Sequence, residues 1–185
     1  MNIPKQHSHT LTSWRYSNLA IALHWLLAVL LVAMVSLGWY MMSIEEQPGS
    51  DWYFNLHKSV GLTILSLVVL RLLWRLAHKP QNLPSSVPIW QRTLAHWTQF
   101  LLYLCMFILP ITGLTGALYS KSGVVFFGIP LPHPAPNHDL AEQLFSIHGI
   151  TVWILITIVS LHVAGGLKHL LIDRDGVFQR MWPKA

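Results

Sequence analysis

Cysteine is almost missing from this chain: Cys105 is the only one. A disulfide within the chain is therefore excluded, and so is any metal site built on several thiolates. Charge is scarce as well. Asp, Glu, Lys and Arg make up 10% of the residues, against 53% hydrophobic ones, a balance that belongs to membrane proteins and not to soluble cores. The seven acids all lie near the end of an apolar run, so none is left in mid-span.

What is present is long stretches of hydrocarbon. Crossing a bilayer takes about 20 mostly apolar residues, and four segments qualify, 16–42, 54–77, 91–118 and 141–172. The expectation is an all-α integral membrane four-helix bundle forming one domain, preceded by a polar tail over 1–14 that holds His7 and His9. The first run exceeds the core of a cleaved signal and reads as a retained anchor. Several of the nine tryptophans (Trp14, Trp39, Trp52, Trp90, Trp182) fall where interfacial belts belong. Cys105, in mid-span, reads as a small buried apolar residue.

The net charge of +5 does not mark a nucleic-acid binder, because the cations are unevenly placed. One side of the bilayer receives Lys5, Arg15, Arg71, Arg75, Lys79, Arg92, Lys168, Arg174, Arg180 and Lys184. The other keeps only Lys58 and Lys121, with Glu45, Glu46, Asp51, Asp139 and Glu142. This is the positive-inside pattern, which puts both termini in the cytoplasm. Pro110 predicts a kink in the third helix. The connector 119–139, with prolines at 130, 132, 134 and 136, reads as extended. His133 and His138 within it read as exposed.

The last run carries His148 and His162, with His169 seven residues further on. Fourteen residues return to nearly the same helical face, about 40° off, after a rise of roughly 21 Å. Histidines inside a span tend to face the bundle interior and to mark function. Counting inward from the nearest interfacial charge gives their depths. His57 lies six residues after Asp51 and His148 six after Glu142; His24 lies nine after Arg15 and His162 six before Lys168. Two pairs at matched depths emerge, His57 with His148 and His24 with His162, each drawn from two helices.

A planar cofactor held between facing helices requires such pairs. Two axial imidazoles at one depth clamp one haem b, and two pairs hold two; covalent haem is excluded because there is no C-x-x-C-H. The competing role for any one of these histidines is a helix–helix hydrogen bond, and Met34 or Met106 is the alternative axial ligand. Arg71, fourteen residues after His57, reaches the inner depth, where it either meets a haem propionate or snorkels to the surface. Gly61, Gly149, Gly165 and Gly166 allow a flat ring near the backbone or simply pack helices.

The segments LAIALHW (19–25), LHKSVGLTILSLVVLRLLWRL (56–76), LAH…LLY…LP..G (94–113) and IHG…SLHVAGGLKH (147–169) resemble the bacterial cytochrome b561 family. The resemblance covers residues 15–183 in order. It implies a four-helix inner-membrane protein with two haem b groups that exchanges electrons with ubiquinone. The ligands it implies are His57 and His148 for the outer haem and His24 and His162 for the inner one. Its best understood members pass electrons from periplasmic superoxide to quinone. Others serve as cytochrome subunits that anchor a hydrogenase or dehydrogenase. On the first expectation Lys58 attracts superoxide, and the shallow His96 and His169 bond quinone carbonyls and relay protons; otherwise both histidines are interfacial groups bonded to backbone or water. The outer loop, rich in His and Pro, departs from the family pattern and bears on the donor. A divalent-metal transporter built on the histidines needs acidic companions within the spans, which are lacking.

Overall fold

A computed structural model describes residues 15–79, 81–83 and 87–183. The expected tail 1–14 with Trp14, and Pro80, Pro84 and Lys184, lie outside them. Four helices carry the chain back and forth: α1 (Asn18–Ser43), α2 (Ser50–Ala77), α3 (Ile89–Tyr119) and α4 (His138–Lys168). All four are long and apolar enough to cross a membrane. The fold is an all-α transmembrane bundle.

Local chemistry fixes the ends. Ser17 caps α1, its hydroxyl accepting from the Ala20 N–H at 3.3 Å, and Asn137 caps α4 by accepting from the Leu140 N–H at 3.1 Å. α2 begins at Ser50, four residues before the expected start. Gly49 takes the left-handed backbone that turns the chain there, with φ of 87°, and Asp51 in the first turn suits the helix dipole. α3 runs through Pro110 as a single helix. α4 starts three residues early and passes into a π-helical turn over His169–Asp173.

The connector between α3 and α4 differs from the extended run expected of it. Val125–Phe126 pairs with Ile129–Pro130 as a minimal antiparallel ladder. Phe127 and Gly128 between them have φ of 45° and 91°, the left-handed backbone of a tight hairpin turn. Ser59, 2% exposed, holds this hairpin to α2. Its hydroxyl donates to Val125 O at 3.1 Å and accepts from the Phe127 N–H at 3.0 Å.

Neighbouring helices pack in chain order, α1 on α2, α2 on α3 and most broadly α3 on α4, whereas α4 has no comparably broad contact with α1 or α2. That leaves a slot lined by α1, α2 and α4. Halfway along it sits the apolar core. Leu27, Ile64, Val68 and Met106 form one cluster, and Cys105, Leu109 and Leu155 another. Leu155 is seven residues from both His148 and His162. Outward-facing Val29, Val32, Leu161 and Ile172 are exposed, as lipid-facing side chains are. At one end, Arg15 donates to Trp182 O at 2.9 Å, so the first and last described segments lie together.

Candidate functional site

The structure brings the four deep histidines together in two pairs. His57 of α2 faces His148 of α4 with ring centroids 6.2 Å apart. His24 of α1 faces His162 of α4 at the same 6.2 Å. With metal–nitrogen bonds of about 2.0 Å and about 1.2 Å from ring centre to nitrogen, two axial imidazoles stand with centroids about 6.4 Å apart. The pairs therefore have the spacing that one haem iron requires, twice.

The surroundings of the His57–His148 pair fit that group further. His148 Nδ1 lies 2.8 Å from the Leu109 carbonyl oxygen. A carbonyl only accepts, so the ring proton is on Nδ1 and Nε2 keeps its lone pair for a metal. Gly113, one turn further along α3, is the floor on which that ring lies. A Cβ there would meet His148 Nδ1 at 2.9 Å and Cε1 at 3.0 Å. His57 Nδ1 is buried without a hydrogen-bond partner, and Gly38 lies under its ring, a Cβ there falling 3.4 Å from Cε1. Gly38 was not singled out in the sequence, and Gly113 entered only as the last position of the LP..G segment, with no role attached. The glycines that were behave differently: Gly149 and Gly165 look into open space, and Gly61 and Gly166 make ordinary contacts. Met106 and Met34 pack in the apolar core.

At the His24–His162 pair, Arg71 enters from α2. Its Nη1 donates to Ala20 O at 2.9 Å, and Nη2 stands 3.4 Å from His24 Nδ1. The guanidinium reaches into the bundle to the ring instead of leaving for the surface.

The remaining candidates separate. Lys58, beside His57, donates from Nζ to the Gly123 carbonyl at 3.0 Å, which ties the connector between α3 and α4 to the His57 end of the slot. His96 is exposed on α3 and has no hydrogen bond or ring contact among the described residues. His169 is half-buried, its Nδ1 2.7 Å from Asp175 Oδ2 and 3.4 Å from Asp173 Oδ2; Asp173 also pairs with Lys168. The sequence gives these two histidines the same rank, and the π turn separates them by folding two aspartates back onto one. His169, Asp173 and Asp175 are the one cluster of three such ligands among the described residues. It sits where α4 ends. His133 and His138 are exposed.

Residues 15–184 match the family described as prokaryotic cytochrome b561. The chain is 32% identical over 185 residues to "Cytochrome b561 homolog 2" of Escherichia coli (strain K12), covering 96% of each. It is 29% identical over 175 residues to "Probable superoxide oxidase CybB" of Yersinia pestis, covering 92% of this chain and 97% of that one. Four apolar spans, paired intramembrane imidazoles and a match along nearly the whole length agree: the chain belongs to the prokaryotic cytochrome b561 family, haem b electron-transfer proteins that cross the inner membrane several times.

Proposed function

We propose that this protein is a di-haem superoxide:ubiquinone oxidoreductase, with both termini in the cytoplasm. The observation that carries the reading is the pair of facing imidazole sets at opposite ends of one slot. His57 and His148 would hold the outer haem, His24 and His162 the inner one. Bound there, haem b supplies one-electron redox chemistry. The protein's own part is to position, neutralise and insulate. Leu109 orients His148 through its carbonyl, and Gly113 admits the ring. Arg71 supplies the cation for a propionate carboxylate. In turning to that acceptor it frees His24 Nδ1, so the His24 proton can sit there and leave Nε2 for iron. The apolar layer around Leu155 and Val68 keeps water out between the two levels.

On the outer side, Lys58 is the cation nearest the slot, and superoxide is a small anion. Replacing Lys58 with Met is expected to slow reduction of the protein by superoxide about tenfold at low salt, with the gap closing as salt is added. Stopped-flow reduction at two ionic strengths measures it, and Lys58→Arg should keep the rate. Equal rates for Met and wild type remove Lys58 from the reaction.

On the inner side, His169 is the proton donor to reduced quinone, held by Asp175, which also accepts from the Val177 N–H at 3.0 Å. His169→Ala is expected to lower ubiquinone reduction by about 100-fold, Asp175→Asn by less, and His96→Ala hardly at all. Steady-state quinone reduction with a fixed electron supply reads all three. A His96 effect equal to that of His169 contradicts this assignment.

The whole reading is tested by a reduced-minus-oxidised spectrum with haem quantified per chain, followed by addition of superoxide and quinone. Two low-spin haems and rapid turnover are expected. Haem without superoxide turnover favours the second reading, an electron-transfer subunit that anchors a periplasmic dehydrogenase or hydrogenase.

A further inference from the structure

Ser59 is buried on the side of α2 that faces away from the core. His57, Ile64 and Val68 share the face of α2 that meets the slot and the apolar cluster, and Ser59 lies about 140–180° round the helix from them. Along Ser59's own line, within about 40° of it, come Trp52, Ser66, Leu70 and Leu73, all exposed. That line is the lipid-facing side of a spanning helix, yet Ser59 in its midst is 2% exposed. What covers it is the hairpin over 125–130. Strand Val125–Phe126 packs on α2, and strand Ile129–Pro130 has no comparably broad contact with any helix.

The cover lies deep. α2 has 28 residues. It is about 42 Å long against a hydrocarbon layer of about 30 Å, so the layer's boundary comes about four residues inside each end. The Ser59 hydroxyl bonds both Asn55 O of its own helix and the hairpin backbone. The turn therefore stands at the level of residues 55–59, about 2–8 Å below that boundary. Backbone at such a depth has to pair its polar groups within the protein. The hairpin does so on the side towards α2, with Val125 O and the Phe127 N–H on Ser59 and Gly123 O on Lys58 Nζ. Val124 O accepts from the Leu131 N–H at 2.9 Å. On the far side Pro130 has no N–H to leave unpaired, and Phe127, Ile129 and Pro130 are exposed.

We infer that this hairpin is sunk into one leaflet of the bilayer, at the His57 end of the bundle, with Phe127 and Ile129 against lipid acyl chains. Lipid is the occupant of this apolar face because the hairpin is stacked on the lipid-facing line of α2 and continues it outward. The placement holds whichever residues carry haem.

The test uses the full-length, haem-loaded protein in phosphatidylcholine vesicles. Cys105→Ala leaves one new cysteine for a nitroxide label, at Phe127→Cys, Lys121→Cys or Leu70→Cys. Collisions with a water-soluble nickel chelate are expected to be at least about tenfold rarer at 127 than at 121, and collisions with oxygen as frequent at 127 as at 70. A label at 127 as open to the chelate as the one at 121 overturns the proposal. A label shielded from both reagents puts protein on this face, a second copy or another chain, and overturns the lipid assignment. If the labelled variants do not assemble, the unaltered protein decides. A phosphatidylcholine carrying a diazirine in its acyl chain should mark Phe127 and Ile129 on illumination, and marks confined to the helices overturn the proposal.

Discussion

Replacing His148 with alanine is expected to cut the low-spin haem signal per chain by about half, and replacing His57 to remove the same half. The reason is the pairing. Each haem on this reading takes one nitrogen from each of two rings whose centroids stand 6.2 Å apart, and iron with one imidazole is no longer low-spin. His24→Ala and His162→Ala should together define the other half, because they form the second pair. The double variant of one pair should lose nothing beyond either single one, since residues acting as a unit are not additive. A double variant drawn from different pairs should lose the whole low-spin signal. Redox-resolved spectra of the six variants separate the components. A His57 variant that matched His24 and not His148 would break the pairing.

Gly113 is expected to matter almost as much, without touching iron. A Cβ there would stand 2.9 Å from His148 Nδ1, inside contact distance, and the ring cannot back away without giving up its 2.8 Å bond to the Leu109 carbonyl. Either the ring turns and loses the right tautomer, or α3 and α4 part where they pack most broadly. Changing a group that orients a ligand costs about 10–100-fold in affinity for the bound metal. On the two-haem reading, Gly113→Val should therefore weaken the haem held by His57 and His148 by that order and open it to carbon monoxide, while the other stays closed. Gly113→Ala should fall between. Carbon monoxide binding to the reduced protein reports it. A Val variant that stays fully six-coordinate would show that the Gly113 contact is not needed.

The spans and the depth of each histidine were legible because both are one-dimensional: hydrophobic length sets the helices, and counting from the nearest charge sets depth. What the sequence could not show is proximity across helices. His148 and Gly113 are on different helices, and nothing in either helix alone says that one ring lies on the other's backbone. Gly61 and Gly149 looked equally suitable and meet neither ring. The Ser59 hook on the hairpin was hidden likewise, since a buried serine in a span usually bonds only its own helix, as Ser59 also does to Asn55 O at 2.8 Å. His96 and His169 looked alike in depth. They part because Arg174 adopts φ of 49°, reversing the chain so that Asp175 returns to His169.

The fourteen residues of α4 between His148 and His162 also set an electrical scale. At 1.5 Å each they span roughly 21 Å of a hydrocarbon layer about 30 Å thick. On the proposed two-haem reading, an electron passed from one level to the other would cross about two-thirds of the membrane voltage, worth about 1.6 kcal/mol for every 100 mV. In an energised cell, negative inside, inward traffic works against that voltage and slows as the membrane charges. Outward traffic gains from it. On that reading, the stacking of the two levels makes the protein a charger of the cell's electrical gradient when electrons move inward and a leak when they move outward.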